Sequence, residues 1–505
     1  MCMLNLWHDT QQLRDRSVDY FRAAPADQSL FFATLLLDLG LAAVFLLLCS
    51  AAARVKHALA ARCLGLSFIL AFLFPVHLLH FELVGMDLSG RLQFAGEALV
   101  FASYAAVICA AVLYLLAEKR WPLRAATALN MILSPLLPVL LVSHIVWAVK
   151  EAPSAGDFAQ PRPRQPGTNT RSNGRRVLWL ILDEFDYQTG FSRRPDGVRL
   201  PEMDRLVKES LMAANAYPPG DATLMSMPAL IDGTAYRQVR VAGVSRLELR
   251  SGSGESHFWG GPETVFARVR RTGARAGVVG WYHPYCRLFG DVLSACTFVP
   301  ATKYTLLVRE SYAHRLGIAG AAWYLLRDQL TMLPFVPKGI APDIEELARA
   351  EQISEFKKVH AAALARVLDP GLDLVMAHYP VPHPQGIYDR HSGRFSAART
   401  STYLDNLALA DRVVGELRRA LEASGLWNRT AIVISSDHSL REEFGGSGKG
   451  LERVPFLVRL PGDVMGQEYA PRFSTPVTPD LIVALVEGRM QSIEELEKWL
   501  HLVSR

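Results

Sequence analysis

The stretch TAIVISSDHS, residues 430–439, decides the fold of this 505-residue chain. Its first six residues are apolar, small or β-branched, and such a run predicts a buried strand. The run stops at Asp437 and His438, whose side chains both bind metal ions. Alone, this pair is equally compatible with a turn. Ligands of open α/β sheets, however, bind beyond the carboxyl ends of the strands. The stretch therefore predicts an α/β fold with a metal-binding pair at one edge of its sheet.

Two upstream stretches complete this pattern. RVLWLILDE, residues 176–184, is another apolar run that ends at two adjacent carboxylates, Asp183 and Glu184. ATLMSMPAL, residues 222–230, is typical of a loop that enters a helix, with Thr223 at the entry. A hydroxyl at that position can cap the helix. It also suits a nucleophile, because a helix N-terminus favours a phosphate beside it.

In order and context, these residues resemble the metal site of the alkaline-phosphatase/sulfatase superfamily. The resemblance covers about residues 175–465 and rests on four positions, Asp183, Thr223, Asp437 and His438. It is closest to the membrane-bound branch, which includes lipopolysaccharide phosphoethanolamine transferases and lipoteichoic acid synthases. The resemblance implies that Thr223 is the nucleophile and that all four residues hold the catalytic metal.

Two departures from the family pattern bear on the site. Ser439 follows His438, where the family usually has glycine. Glu184 lies beside Asp183, as in the paired acids of sulfatases, so either carboxylate could bind the metal. We take Asp183 as the principal ligand and Glu184 as the second candidate.

Three further residues are candidates for substrate binding. His378 and His383 follow an apolar run at 372–377, and histidines of related transferases in this region contact the substrate or a second metal. We rank His383 first, the alternative being a surface histidine in a loop. Lys449 resembles the sulfatase lysine that neutralises a substrate oxyanion, although a solvated loop lysine would give the same pattern.

The N-terminal third of the chain is dominated by long apolar runs. Each is about long enough to cross a bilayer as a helix, and buried core helices are the alternative. The runs are residues 30–50, 58–80, 93–117 and 125–149. We therefore expect an N-terminal four-helix transmembrane region over 1–150, followed by an α/β domain with a largely parallel sheet covered by helices.

The charges of the short loops predict an orientation. The loops after the first and third runs are basic, which favours the cytoplasmic side for both. The expected localisation is the inner (cytoplasmic) membrane, multi-pass, with the catalytic domain on the periplasmic side. Five arginines that follow the last run oppose this orientation; they are Arg162, Arg164, Arg171, Arg175 and Arg176.

Residues 151–174 are rich in Pro, Gly, Ser, Thr and Arg and are interpreted as a linker. The catalytic domain then runs over 175–505. Strands are expected at 176–182, 276–281, 372–377, 430–435 and 455–459. Helices are expected at 201–212, 262–272, 344–367 and 398–424. This alternation predicts a largely parallel sheet covered on both faces.

Charge and cysteine usage add two expectations. The net charge of +5 over the whole chain is mild and gives no case for nucleic acid binding. Cys286 and Cys296 lie ten positions apart, which is consistent with one disulfide; two buried free thiols are the alternative. Residues 303–335 mix apolar side chains with arginines and predict either a packed helix pair or an amphipathic element on a membrane surface.

The expected chemistry follows from the ligand set and the resemblance. An oxygen-rich set with one imidazole suits Zn²⁺ first and Mn²⁺ second. The Cys/Ser-x-Pro-x-Arg pattern of sulfatases is missing around Thr223, which disfavours a sulfatase-type hydrolase. The resemblance implies transfer of a phosphoethanolamine or phosphoglycerol headgroup from a phospholipid donor to an envelope glycan or lipid acceptor, through a phospho-threonine. A membrane-anchored phosphatase or phosphodiesterase is the alternative, and a catalytically silent glycan- or lipid-binding relative is a third.

Overall fold

The structure, a computed structural model, forms two compact units. The helical unit comprises the described residues of 27–152 and 309–341, and the sheet unit those of 16–26, 153–308 and 342–505. The residues that the structure describes are 16–25, 29–54, 58–70, 90–116, 154–161, 175–301, 305–331, 337–441, 451–462 and 465–503, with isolated positions between 124 and 146.

The helical unit contains the apolar N-terminal helices. These are Ser29–Arg54, Ala58–Leu70 and Gly90–Leu116, and each packs against the next along the chain. The fourth apolar run, 125–149, lies almost entirely outside the described residues.

The expectation of a four-helix transmembrane region is wrong. Among the helices that the structure describes, none combines the length and the apolar character needed to cross a membrane. The multi-pass inner-membrane localisation is corrected with it.

The segment around 303–335 forms the predicted helix pair. Helix Thr305–Thr331 is interrupted at Gly317, whose φ of 68° only glycine adopts readily. The two arms contact each other through the rings of Tyr312 and Tyr324, 4.9 Å apart, and through an ion pair of 3.0 Å between Arg309 and Asp328.

The sheet unit is built on one large sheet. The described strands of the unit are β1 Arg176–Leu182, β2 Leu211–Ala213, β3 Ala216–Tyr217, β4 Tyr236–Gly243, β5 Arg246–Ser251, β6 Ser256–Phe258, β7 Ala276–Trp281, β8 Ala295–Val299, β9 Leu374–Tyr379, β10 Tyr388–Asp389, β11 Arg394–Phe395, β12 Thr430–Ser435, β13 Phe456–Arg459, β14 Gln467–Tyr469 and β15 Phe473–Ser474. The order of the strands in the large sheet is β14-β2-β13-β12-β1-β9-β7-β8.

The centre of this sheet is parallel. β1 lies between β12 and β9 and is parallel to both, with Leu178 opposite Ile432 on one side and Val375 on the other. β9, β7 and β8 continue in the same direction, whereas β13 is antiparallel to β12 and to β2. All seven residues of β1 are buried, which requires cover on both faces of the sheet. The prediction of a largely parallel α/β sheet is confirmed.

Helices cover this sheet. Helix Ile344–Val367 packs on β7, β8 and β9, and helix Thr478–Glu487 packs on β1. The described helices of the unit are Arg16–Asp19, Pro201–Val207, Thr223–Asp232, Val265–Arg271, Tyr285–Phe289, Ile344–Val367, Tyr403–Ala423, Thr478–Glu487 and Ile493–Val503.

Several element boundaries differ from the sequence prediction, and two of these differences change the interpretation of a segment. The helix expected over 201–212 ends at Val207, because Leu211–Ala213 pairs as β2 between β13 and β14. A short apolar run does not distinguish a helix end from a buried strand. β9 runs to Tyr379, so His378 lies inside the strand instead of after it.

The predicted disulfide between Cys286 and Cys296 is present, with an S–S distance of 2.09 Å. It joins helix Tyr285–Phe289 to β8 at the edge of the sheet. This helix carries Tyr285 and Arg287, whose contacts are described below.

Candidate metal centre

Strand ends bring the predicted ligands together. β1 and β12 are parallel neighbours, so Asp183, which follows β1, lies beside Asp437 and His438, which follow β12. One ligand atom from each of these three side chains lies within 4.8 Å of the others, and all three are buried. We name Asp183, Asp437, His438 and the adjacent Thr223 the ligand group.

His438 is oriented as a metal-binding imidazole. Its Nδ1 lies 2.9 Å from the carbonyl oxygen of Ser439, which can only accept a hydrogen bond. Nδ1 therefore carries the proton, and the lone pair of Nε2 points into the ligand group. Nε2 lies 3.5 Å from Asp183 Oδ1 and 3.6 Å from Asp437 Oδ2. Metal-binding histidines usually donate such a hydrogen bond from the ring nitrogen that does not bind the metal, and this bond fixes the tautomer.

Asp437 is fixed through one oxygen and leaves the other for a ligand. Its Oδ1 accepts the backbone N–H groups of Glu184, at 3.1 Å, and of His438, at 2.9 Å. Its Oδ2 is buried without a hydrogen-bond partner among the described residues. Burial raises the pKa of Asp437, but His438, His378 and the Glu184 N–H outweigh burial and lower it to about 2. The carboxylate is therefore ionised, and its buried charge fits a divalent cation.

Thr223 is the first residue of helix Thr223–Asp232, and the residue at its N-cap position is Ala222, which has no side-chain acceptor. The Thr223 hydroxyl does not cap the helix. It donates to Asp183 Oδ1 at 3.3 Å and lies 3.3 Å from His438 Nε2. It therefore belongs to the ligand group and is aimed at the same point as the candidate ligands.

Glu184 has a different environment from Asp183. Arg441 donates to both of its carboxylate oxygens, Nε to Oε1 at 3.1 Å and a terminal nitrogen to Oε2 at 3.2 Å. The backbone N–H of Arg441 adds a third bond of 3.0 Å. The structure thus does not bring the Glu184 carboxylate into the ligand group.

His383 joins Glu184 and Arg441. Its Nδ1 donates to the Pro384 carbonyl at 2.9 Å, so its Nε2 accepts from Arg441 at 3.3 Å and lies 3.5 Å from Glu184 Oε2. We name Glu184, Arg441 and His383 the arginine group.

His378 is fully buried, and its Nδ1 lies 2.9 Å from the hydroxyl of Tyr285. Burial lowers its pKa to about 4, so the ring is neutral at pH 7. The ring of Trp281 lies 6.1 Å from His378 and 5.9 Å from His383. Trp281 thus lies close to both predicted substrate histidines. Lys449 lies outside the described residues.

Two functional candidates were missed from the sequence. His283 follows β7 and places its Nε2 3.2 Å from the backbone carbonyl of Thr223. The apolar run 276–281 before it is the same signal that identified Asp183 and Asp437. Arg441 has no such signal, because nothing in the sequence connects it to Glu184, 257 positions away. His283 is fully buried and Arg441 is half-buried.

Residues 372–481 match the family model described as Sulfatase. This match covers the His378 and His383 region and the Asp437–His438 pair, but neither Asp183 nor Thr223. No curated protein matches the sequence.

Several solved structures are similar to this chain at low identity and low TM-score. Phosphonate monoester hydrolase SpPMH from Silicibacter pomeroyi has 15% identity and a TM-score of 0.43, with 64% of this chain and 77% of that chain covered. The phosphonate monoester hydrolase of Agrobacterium radiobacter has 15% identity and a TM-score of 0.38, with 62% and 77% covered. Ps i-CgsB in complex with k-i-k-neocarrahexaose has 17% identity and a TM-score of 0.42, with 65% and 76% covered. These likenesses assign neither a substrate nor a reaction to this chain.

Proposed function

We propose that the protein is a metal-dependent enzyme of the alkaline-phosphatase/sulfatase superfamily that moves a phosphorus-centred group from an ester donor onto Thr223 and then onto an acceptor. The observation that carries the proposal is the position of the Thr223 hydroxyl, 3.3 Å from both Asp183 Oδ1 and His438 Nε2 at the N-terminus of a helix. A hydroxyl beside a metal site and a helix N-terminus is suited to attack a phosphate.

The chain's own residues supply the two displacement steps. The Thr223 hydroxyl donates its hydrogen bond to Asp183, which can accept the proton as the Oγ–P bond forms. The bond from phosphorus to the donor alcohol breaks, and that alcohol leaves with a proton from water. An acceptor hydroxyl then attacks the phospho-threonine and restores the Thr223 hydroxyl. A divalent cation held by Asp183, Asp437 and His438 would lower the pKa of the nucleophile and screen the phosphate charge.

Phosphorus is favoured over sulfur because the nucleophile is threonine. Sulfatases mature a Cys or Ser of a Cys/Ser-x-Pro-x-Arg pattern into formylglycine, and Thr223 starts no such pattern. Zn²⁺ is the first candidate for the metal and Mn²⁺ the second, from the mixed oxygen and imidazole ligands.

The acceptor decides between a hydrolase and a transferase. With water the enzyme is a phosphatase or phosphodiesterase. With a hydroxyl of an envelope glycan or lipid it is a headgroup transferase that uses a phospholipid donor, as the sequence resemblance implies. Both acceptors complete the same phospho-threonine cycle, so the proposal includes both.

The first experiment tests the reaction class. Full-length protein with Zn²⁺ or Mn²⁺ is mixed with p-nitrophenyl phosphate, bis(p-nitrophenyl) phosphate or p-nitrophenyl sulfate. We expect release of nitrophenol from a phosphoester, its loss with chelator, and a phosphate on the peptide that holds Thr223 and Ser226. Fragmentation should place the phosphate on Thr223. A phosphate on Ser226, or turnover of the sulfate alone, would overturn the proposal.

The second experiment identifies the acceptor. The protein is mixed with a phospholipid labelled in its headgroup, with and without a glycan or lipid acceptor. Headgroup on the acceptor supports the transferase, and headgroup free in water supports the hydrolase.

A further inference from the structure

We infer that Tyr20, near the N-terminus, is a positioning residue for the nucleophile Thr223 and acts on it through His283. The inference rests on the proposed function for the role of Thr223. It concerns a part of the chain that the sequence pattern of the site does not include.

Tyr20 and His283 form one buried hydrogen-bonded chain with the nucleophile. The Tyr20 hydroxyl lies 2.8 Å from His283 Nδ1, and His283 Nε2 lies 3.2 Å from the Thr223 carbonyl oxygen. Tyr20 and His283 are both fully buried. The two residues are 263 positions apart, so only the folded sheet unit brings them together.

The direction of each hydrogen bond follows from the acceptors. A backbone carbonyl only accepts, so His283 Nε2 carries a proton and donates to Thr223. The imidazole is fully buried and both of its hydrogen-bond partners, the Tyr20 hydroxyl and the Thr223 carbonyl, are uncharged, which favours the neutral ring. Nδ1 of a neutral ring must then accept, and the donor is the Tyr20 hydroxyl. Tyr20 thus fixes the tautomer that lets His283 hold the first residue of the nucleophile helix.

The segment that carries Tyr20 is firmly held in the sheet unit. The Arg287 guanidinium donates to the carbonyl of Tyr20 at 2.6 Å and to the carbonyl of Arg22 at 2.6 Å. Arg287 is itself buried. Phe21 is also buried and contacts the ring of Tyr282 at 4.9 Å.

The backbone beside His283 is strained, which supports a functional role for this part of the chain. Tyr282 has a φ of 72°, a conformation that residues other than glycine adopt at a cost and that often occurs at functional sites. Arg287 holds the backbone of Tyr20, and Phe21 packs against the strained Tyr282. The segment thus holds the imidazole from one side, and Thr223 lies on the other.

The test uses Tyr20→Phe in the full-length protein, which removes only the hydroxyl. Tyr469→Phe is the matched control, because Tyr469 is 1% exposed and its hydroxyl lies 3.5 Å from His501 Nδ1 in the same unit, at the far edge of the sheet. We expect kcat for the phosphoester to fall roughly 10- to 100-fold in Tyr20→Phe, since a small misplacement of a reacting group costs that much. KM and the melting temperature should match those of the control.

Two further measurements separate positioning from a general loss of structure. In a His283→Leu background the side chain offers neither an N–H to Thr223 nor an acceptor to Tyr20, so adding Tyr20→Phe should change kcat no further. Hydrogen exchange of the peptide 221–232 should be faster in Tyr20→Phe than in Tyr469→Phe.

The outcomes are distinct. Unchanged kcat and unchanged exchange in Tyr20→Phe would overturn the inference, as would a full additional loss of kcat in the His283→Leu background. Absence of turnover in the wild-type protein would count against the proposed function alone, because the exchange measurement needs no reaction.

Discussion

Asp183 and Glu184 are neighbours at the end of one strand, are both fully buried, and have opposite surroundings. Asp183 lies in the ligand group, with a hydroxyl and an imidazole Nε2 beside it. Glu184 lies in the arginine group, where the Arg441 guanidinium donates a hydrogen bond to each of its carboxylate oxygens. A buried carboxylate needs a compensating positive charge. The difference teaches that Glu184 receives that charge from its own chain, whereas Asp183 lies where a bound cation could supply it.

The backbone separates the two side chains. Glu184 has a φ of 63°, and its carbonyl accepts a hydrogen bond of 2.9 Å from the hydroxyl of Tyr403. In this turn the Glu184 N–H faces Asp437 Oδ1 while its side chain faces Arg441. The arginine group therefore also supports the ligand group. Arg441 binds the Glu184 side chain, and the backbone N–H of Glu184 orients Asp437.

The largest expected effect on turnover comes from removing the Thr223 hydroxyl. Thr223→Ala should lower turnover of a phosphoester by at least about three orders of magnitude, since covalent catalysis loses its nucleophile. Thr223→Ser keeps a hydroxyl and should retain a measurable part of the rate. Ser226→Ala, one turn further along the helix, should be close to wild type in steady-state kinetics. Similar rates for Thr223→Ala and Ser226→Ala would contradict the assignment.

The affinity for a metal ion should depend on Asp183 much more than on Glu184. Asp183→Asn should weaken Zn²⁺ binding roughly 100-fold or more, because the loss of even an indirect partner costs 10- to 100-fold. Glu184→Gln should weaken it at most about tenfold, because its oxygens contact Arg441. The measurement is competition with a chromophoric chelator, which needs no activity. Equal losses in the two variants would place both carboxylates on the metal.

Stability should depend on the arginine group. Arg441→Met leaves the Glu184 carboxylate buried without its guanidinium and should lower the free energy of unfolding by about 3–5 kcal/mol. Adding Glu184→Gln should recover much of that loss in urea denaturation. Arg419→Met, which removes an exposed pair with Glu202, should cost less than about 1 kcal/mol. An Arg441→Met variant as stable as Arg419→Met would show that Glu184 is neutralised in another way.

Asp232 extends the comparison to a half-buried carboxyl group that accepts hydrogen bonds from two neutral side chains. Tyr236 donates to it at 2.8 Å and Trp259 at 3.1 Å. Burial raises its pKa from 3.8 to about 6, so this group favours the folded state below pH 4, and that contribution is lost as the pH rises through 6. Asp232→Asn cannot ionise, and its stability relative to wild type should rise by at most about 3 kcal/mol between pH 4 and pH 7.5.

Urea denaturation of both proteins across that range measures the Asp232 effect. Asp196→Asn, at an exposed position, controls for the change in net charge. A stability difference between wild type and Asp232→Asn that does not vary with pH would contradict the prediction.

The sequence predicted the strand ends well, for a physical reason. A buried parallel strand is a continuous apolar run, and the first polar residues after it lie at the ligand-binding edge. This rule found Asp183, Asp437 and His438, and the helix-entry pattern found Thr223. It could not say which of Asp183 and Glu184 joins the ligand group, because that depends on Arg441 and on the backbone angle φ of Glu184.

The remaining differences have other causes. Tyr20 reaches the site through tertiary packing, which leaves no local pattern. The transmembrane expectation was wrong because none of the described helices is both long enough and apolar enough to span a membrane.

The parallel pairing of β1 has a consequence during synthesis. Its two partners, β9 and β12, are encoded about 190 and 250 residues later than β1 ends. At 5–20 residues per second, β1 leaves the ribosome roughly 10–40 s before its first partner exists. During that interval the segment Val177–Leu182, which is apolar throughout, is an unpaired strand able to join other chains. Efficient production of this protein should therefore depend on a chaperone that shields β1 until residue 379 has been made.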